Sequence, residues 1–220
     1  MFPPRPEDRG LHTANPMTAE PSTTRPARRG RPGYDLESLL RVAVGLFNDR
    51  GYDGTSMEDL ARKLGITKSA IYHHVPSKEE LLKLAVNRAL DGLFALVDEL
   101  DRVDGRAVDR LEHLVRGSVA VLVDRLPFVT LLLRVRGNTK VERQALIRRR
   151  EFDRIVAELV TEAAADGDLR ADIDPATAAR LLFGMVNSLV EWYRPQGHIG
   201  GADLADAVAT MAFDGLRAHA

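Results

Sequence analysis

Apolar residues recur at helical spacing from Leu36 almost to the end of the chain. Leu36, Leu39, Leu40, Ala43, Val44 and Phe47 fall at three- and four-residue intervals, which places them on one face of an α-helix. Asp35 stands where an N-cap is needed, and Gly51 fits the position just past the last turn. After the Asp53-Gly54 turn, Ser56-Met57-Glu58-Asp59 forms a capping box that opens a short helix through Leu64. Gly65 breaks that helix, and Thr67 caps another short one through His74. Pro76 stops the chain, and Ser77 with Glu80 restarts it as a second capping box. A long amphipathic helix is then predicted from about Lys78 to Leu100, followed by helices near 106–124, 127–136, 140–166, 175–194 and 202–218. Asp174-Pro175 puts a cap ahead of a proline at the first helical position, where the missing N–H costs nothing. No useful β alternation and no internal repeat interrupt the pattern. The prediction is an all-α chain of three short helices followed by six longer ones.

Residues 1–33 hold most of the prolines and no apolar periodicity, so they read as a disordered N-terminal arm. Met17 within it is a second candidate start. Arg25, Arg28, Arg29 and Arg31 lie in its last part with no acidic residue among them. Such a run is either a solvated basic tail or a hook for the DNA minor groove. Arg29-Gly30-Arg31-Pro32 suits the hook, because a glycine between two arginines lets the backbone lie deep in a narrow groove.

Composition narrows the function classes. Hydrophobic residues make up 45%, aromatics 5% and charged residues 29%, a balance that suits helices around an aliphatic core. The net charge of -1 means that any attraction to nucleic acid must be local. Cysteine is absent, which removes disulfides, thiol catalysis and thiolate metal sites together. The six histidines are scattered, and the adjacent His73 and His74 cannot share a helix face as an i, i+4 metal pair would. No phosphate-binding glycine loop, nucleophile motif or spaced ligand set appears, so no catalytic residue, metal or cofactor is expected. No apolar run is long enough to span a membrane and no secretory core follows the N-terminal charges, which points to a cytoplasmic protein without a membrane partner.

The two short helices around Gly65-Ile66 are a helix-turn-helix candidate. Leu60, Ala61, Leu64, Ile66, Ala70 and Ile71 supply its small interior, leaving Thr67, Lys68, Ser69, Tyr72 and His73 pointing outward on the second helix. A helix so decorated fits the major groove, although spacing alone also suits a hairpin that binds nothing. The stretch "GYDGTSMEDLARKLGITKSAIYHHVPSKEELL", and residues 36–82 as a whole, resemble the DNA-binding domain of TetR-family transcriptional regulators. Val75, where a phenylalanine is usual, and Pro76 depart from the pattern at the end of the recognition helix.

That resemblance implies a helix-turn-helix domain over 34–77 and a six-helix ligand-sensing and dimerisation domain over 78–220. It implies major-groove contacts from Thr67, Lys68, Ser69 and Tyr72, and phosphate contacts from Thr55, Tyr72, His73 and Lys78, with Arg29 and Arg31 added by the arm. His74 is left between a phosphate and a packing contact. The last two helices carry Leu181 beside Leu182, Met185, Leu189, Val208, Ala209, Ala212 and Phe213, the latter seven assigned to a four-helix homodimer interface, with Gly184 and Gly215 allowing close approach.

A ligand cavity is expected between helices 106–194, with His113, Phe128, Arg134, Phe152, Phe183, Asn187 and Trp192 as candidates that ordinary core packing also explains. Trp192-Tyr193-Arg194-Pro195, Gly167-Asp168-Leu169-Arg170 and the basic stretch from Arg134 to Arg150 resemble regulators that respond to acyl-coenzyme A thioesters. Arg134, Arg136, Lys140, Arg143, Arg148, Arg149 or Arg150 would then meet phosphates, unless they form a solvated face paired with Glu142, Glu151 and Asp153. The expected function is a ligand-released regulator, a repressor by family habit, that binds a palindromic double-stranded operator as a dimer. The alternative is a non-selective A·T-rich DNA architectural protein, which would not need a large apolar sensor half.

Overall fold

The computed structural model describes residues 35–217, and the expectations placed on Arg29, Arg31 and the rest of the arm lie outside that range. Among the described residues the helices are α1 Leu36–Arg50, α2 Met57–Leu64, α3 Lys68–Tyr72, α4 Lys78–Glu99, α5 Ala107–Asp124, α6 Leu126–Arg134, α7 Lys140–Ala165, α8 Pro175–Trp192 and α9 Gly201–Leu216. The all-α expectation holds, and the boundaries fall within one or two residues of those the spacing predicts. A 3-10 turn over Leu100–Arg102 extends α4, and α3 ends at Tyr72, two residues before the predicted end.

The caps at Asp35, Ser56, Thr67, Ser77 and Asp174 are those the sequence announces, although Ser77 accepts from the Glu80 N–H without the return bond of a full capping box. The Asp35 carboxylate accepts from the Ser38 N–H at 2.7 Å, and hydrogen bonds to Ser38 hold that carboxyl below its usual range. Ser56 and Asp59 close a full capping box at the head of α2, and Thr139 with Glu142 does the same for α7. Asp174 caps α8 ahead of Pro175 by accepting from the Thr177 N–H at 2.9 Å.

Two packing units share α4. Leu39, Ala43, Val44, Phe47, Leu60, Leu64 and Ile71 bury the inner faces of α1, α2 and α3 against Leu81, Leu82 and Ala85 of α4. The remaining length of α4 packs on α5, α6 and α7, while α8 lies on α7 and α9 on α5. Gly92 is what lets α4 and α5 approach. A Cβ there would sit 2.6 Å from Arg125 Nη1 and 2.9 Å from Val121 Cγ1. That Arg125 guanidinium donates to the Arg88 carbonyl of α4 at 2.7 Å, so this close approach is also hydrogen-bonded. Between α9 and the segment before α8, Arg170 N–H donates to the Leu216 carbonyl at 2.8 Å, a single bridge rather than a strand.

Candidate DNA-binding face and ligand cavity

The turn between α2 and α3 depends on Gly65, whose φ of 67° and ψ of 33° are left-handed and cost a side-chain-bearing residue strain. Its N–H closes α2 on the Arg62 carbonyl at 3.3 Å, and the Ile66 N–H reaches the Ala61 carbonyl at 3.1 Å. Thr67 then caps α3 by accepting from the Ala70 N–H at 3.1 Å. Ile71 and Val75 are buried beneath the helix, so the smaller Val75 occupies the expected aromatic position without opening it. Thr67, Lys68, Ser69, Tyr72, His73 and His74 are all exposed. His74 therefore does not pack into the core.

Charge on that surface is arranged internally. The Lys68 ammonium is ion-paired with Glu58 of α2 and lies 6.0 Å from the centre of the Tyr72 ring. The hydrogen bond between them raises the lysine above its usual range and lowers the glutamate, each favouring its charged form.

Two expected phosphate contacts are placed differently. Thr55 is 1% exposed, and its hydroxyl bonds the Gly51 carbonyl at 2.9 Å and the Leu46 carbonyl at 3.3 Å. This corrects the expectation for Thr55: its hydroxyl is spent on closing the loop after α1 and cannot reach DNA. Lys78 lies half-buried, donating at 2.8 Å to the carbonyls of both Tyr52 and Thr55, with its ammonium 4.1 Å from the centre of the Tyr52 ring. Burial pushes the Tyr52 phenol above its usual range, consistent with a ring enclosed by Lys78 and, edge-on at 5.4 Å, by Phe47.

In the second unit, α4, α5, α6, α7 and α8 enclose a cavity of about 40 Å³. Its walls are mainly Leu90, Leu93, Leu122, Val129, Leu132 and Val186 with the rings of Phe152 and Phe183, which meet edge to face at 5.2 Å. Ser118, Arg149, Asp153 and Asn187 are its polar members. Asp153 and Phe183 also line an adjoining groove of about 350 Å³ between α7 and α8, where Arg150, Arg154 and Arg180 stand.

Three expected ligand residues, Phe152, Phe183 and Asn187, are brought together here. The other four are corrected. Phe128 faces α4 and packs under the Arg88 guanidinium at 4.8 Å. Arg134 turns to α1 and donates to the Asn48 carbonyl at 2.7 Å. His113 sits over Glu99 with Nε2 3.9 Å from its carboxylate, away from the cavity lining. Trp192 is 50% exposed at the end of α8. Arg149 is expected on a phosphate and Asp153 as a surface partner of arginine, while the sequence does not single out Ser118; the turn of each helix selects which of these side chains faces the cavity.

The basic stretch is largely spoken for. Arg148 pairs with Asp91 at 2.9 Å and with Asn87 at 3.1 Å, and Arg143 donates to the Gly137 and Asn138 carbonyls at 3.2 Å. Glu142, expected as a surface partner for arginine, is instead buried in the α7 capping box.

The expected dimer face also needs correction. Leu182, Leu189, Val208, Ala209, Ala212 and Phe213 are all at most 5% exposed, facing α5 and α7 inside the protomer, and Met185 is half-buried beside them. The opposite faces carry Leu181 at 65%, Trp192 at 50% and Met211 at 72% exposure. A Cβ added at Gly184 or Gly215 on these faces would meet nothing within 4 Å in the protomer.

Residues 39–85 match the family model for bacterial regulatory proteins of the tetR family, and residues 104–216 match the tetracyclin repressor-like C-terminal domain. The chain is 30% identical to the HTH-type transcriptional repressor KstR2 of Rhodococcus jostii over 91% of this chain and 98% of that protein. It is 58% identical to a crystal structure of a TetR-family member from Streptomyces coelicolor A3, covering 84% of this chain and 94% of that one with a TM-score of 0.77. The crystal structure of AibR in complex with isovaleryl coenzyme A and operator DNA superposes with a TM-score of 0.67 at 27% identity, covering 80% of this chain and 97% of AibR. With both halves matched and the helix-turn-helix in place, this chain belongs to the TetR family of DNA-binding transcriptional regulators, which are not enzymes.

Proposed function

We propose that this regulator is a repressor that holds a palindromic operator as a homodimer in the cytoplasm and releases it when an acyl-coenzyme A thioester, or a similar hydrophobic acyl compound, enters the second unit. The observation that carries the ligand class is the union of an apolar cavity with a groove lined by Arg150, Arg154 and Arg180, joined at Asp153 and Phe183. An acyl chain matches the first and phosphates match the second. The cavity at about 40 Å³ has room for only a few waters, so a long acyl chain must part the helices around it to enter fully. KstR2 is a repressor and AibR binds isovaleryl coenzyme A with operator DNA, which supports the same logic here.

The DNA-reading residues of this proposal are Thr67, Lys68, Ser69, Tyr72 and His73 on the exposed face of α3, with Arg29 and Arg31 of the 1–33 arm added in the minor groove. Residues 34–77 form the reading head and residues 78–220 the sensor. Dimerisation runs through Leu181, Gly184 and Trp192 of α8 and Met211 and Gly215 of α9, the apolar and small residues left exposed there. A dimer is needed because two recognition helices must enter major grooves roughly 34–36 Å apart.

The joint between the halves is α6. Val129, Leu132 and Leu133 line the cavity, while the ends of the same helix are tied to α1 by Asn48 Nδ2 to the Pro127 carbonyl at 2.9 Å and by Arg134 to the Asn48 carbonyl. A ligand that moves α6 moves α1, and a difference of a few kcal/mol between the two arrangements suffices for release.

The test is selection of bound sequences from a random duplex pool, followed by mobility-shift titration with octanoyl-coenzyme A. A palindromic consensus released by the thioester is expected. Uniform binding to A·T-rich DNA, unaffected by any acyl compound, would sink the proposal in favour of an architectural protein.

A further inference from the structure

The cavity contains a charge that its surroundings do not account for. Arg149 of α7 lines it among leucines, valines and phenylalanines, and desolvation holds its guanidinium below the usual range. Asp153, one turn further along α7, would be the natural i, i+4 partner. Among the described residues no ion pair joins them, while Arg148 and Arg154 on either side are paired with Asp91 and Glu158. The hydrogen bond that Arg149 does make is a long one, 3.5 Å to the Leu132 carbonyl. A guanidinium partly withdrawn from water, offset only in part by the nearby Asp153 carboxylate and left with one weak acceptor, destabilises the ligand-free protein, and side chains so placed in a cleft are candidates for function.

Its position shows what it serves. Asp153 and Phe183 line both the cavity and the α7–α8 groove, so the α7 wall around Arg149 lies at the neck between them. Asn187 of α8 faces the same cavity with a further neutral donor and acceptor. The Ser118 hydroxyl does not compete, since it donates to the Leu114 carbonyl at 2.7 Å.

Building on the proposed function, we infer that Arg149 receives an oxygen acceptor of the inducer at this neck, below which the inducer is hydrocarbon and beyond which it emerges into the arginine-lined groove. Among the acyl compounds of the proposed function, the ligand is thereby narrowed to an amphiphile with a carboxylate or thioester carbonyl next to its apolar part. The planar fork of arginine suits either oxygen, and a carboxylate in two-point fashion. A bare hydrocarbon or an uncharged drug would leave the guanidinium unsatisfied and bind poorly for that reason.

The full-length protein and its Arg149→Met variant, which keeps an unbranched apolar stem and removes the guanidinium, are compared by thermal shift with octanoate, octanoyl-coenzyme A, coenzyme A and 1-octanol. Stabilisation of the wild type by octanoate identifies a carboxylate, and stabilisation by octanoyl-coenzyme A alone identifies the thioester carbonyl. Either effect should weaken at least tenfold in apparent affinity in Arg149→Met. Equal binding of octanoate and 1-octanol, or undiminished binding of the acyl probes by the variant, overturns the inference. Without ligand, Arg149→Met should melt above the wild type, and a variant that melts at or below it shows a structural guanidinium and overturns the inference too. If no acyl probe stabilises the wild type, the acyl-inducer reading fails, and the ligand-free melting temperature still decides the role of Arg149.

Discussion

Lys78, the first residue of α4, donates its ammonium to the backbone carbonyl of Thr55, the residue before the α2 cap, at 2.8 Å. It donates equally to the Tyr52 carbonyl and lies over the Tyr52 ring. The long helix α4, whose Leu90 and Leu93 line the cavity, is thus fastened at its head to the loop ahead of the helix-turn-helix. Lys78 here is a positioning residue, and a methionine in its place keeps the stem and deletes the charge. We expect Lys78→Met to lower stability by about 2 kcal/mol, the scale of charge-assisted hydrogen bonds, as read by urea denaturation. Operator affinity should fall while the slope of log K against log salt stays constant. A slope reduced by about 0.9 would instead place Lys78 on a phosphate.

The Glu58–Lys68 pair predicts an effect of opposite sign. Glu58 holds a lysine that the reading face would otherwise offer to DNA, and both groups are well exposed, so the pair itself is weak. Glu58→Gln should strengthen binding to operator and to unrelated duplex alike, by about two- to fivefold at low salt, with little change in melting temperature. Mobility-shift titrations on both duplexes measure this. Unchanged affinity for both would mean that Lys68 takes no part in DNA contact.

Leu181 and Leu182 are neighbours in sequence with opposite fates. Leu182→Ala removes a buried side chain and should cost about 2–5 kcal/mol, seen as a lowered melting temperature. Leu181→Glu, on the 65% exposed face, should leave helical content intact but shift sedimentation toward a monomer and abolish tight operator binding. A Leu181→Glu protein that remains dimeric would remove that face from the interface.

Burial raises the Asp153 carboxyl above the ordinary value of 3.8, partly offset by Arg149 and Arg180. A carboxyl raised on folding holds its proton more tightly in the native state, so stability falls as pH climbs through the raised value. Asp153→Asn should therefore match the wild type at pH below the ordinary value of 3.8 and exceed it by neutral pH, the gain levelling off once pH passes the raised value and staying modest because Asp153 keeps contact with solvent. Melting curves across that range test the sign, and a variant that loses ground as pH rises contradicts it.

Much of this molecule can be read without coordinates because its signals are local. Caps at Asp35, Ser56, Thr67, Ser77 and Asp174 act within one turn, and the spacing of apolar residues sets helix length, so the element order follows from sequence. The exposed face of α3 follows likewise, since Gly65 and Ile71 leave few ways to turn a helix so short.

Tertiary structure decided which of two apolar faces each later helix buries. On α8 and α9, Leu182, Leu189, Val208 and Phe213 go into the protomer, and Leu181, Trp192 and Met211 are left outside, although periodicity treats both sets alike. It also decided the partners of polar side chains. Thr55 spends its hydroxyl on Gly51, Lys78 its charge on a loop and Arg134 its guanidinium on α1, whereas Arg149 is turned into a cavity. These outcomes rest on contacts between residues far apart in the chain, where rotation of a helix by one position exchanges core for surface. Sequence alone names the elements and the exposed face of α3 proposed to meet DNA; the packing of α4 to α8 determines the cavity proposed to receive a signal.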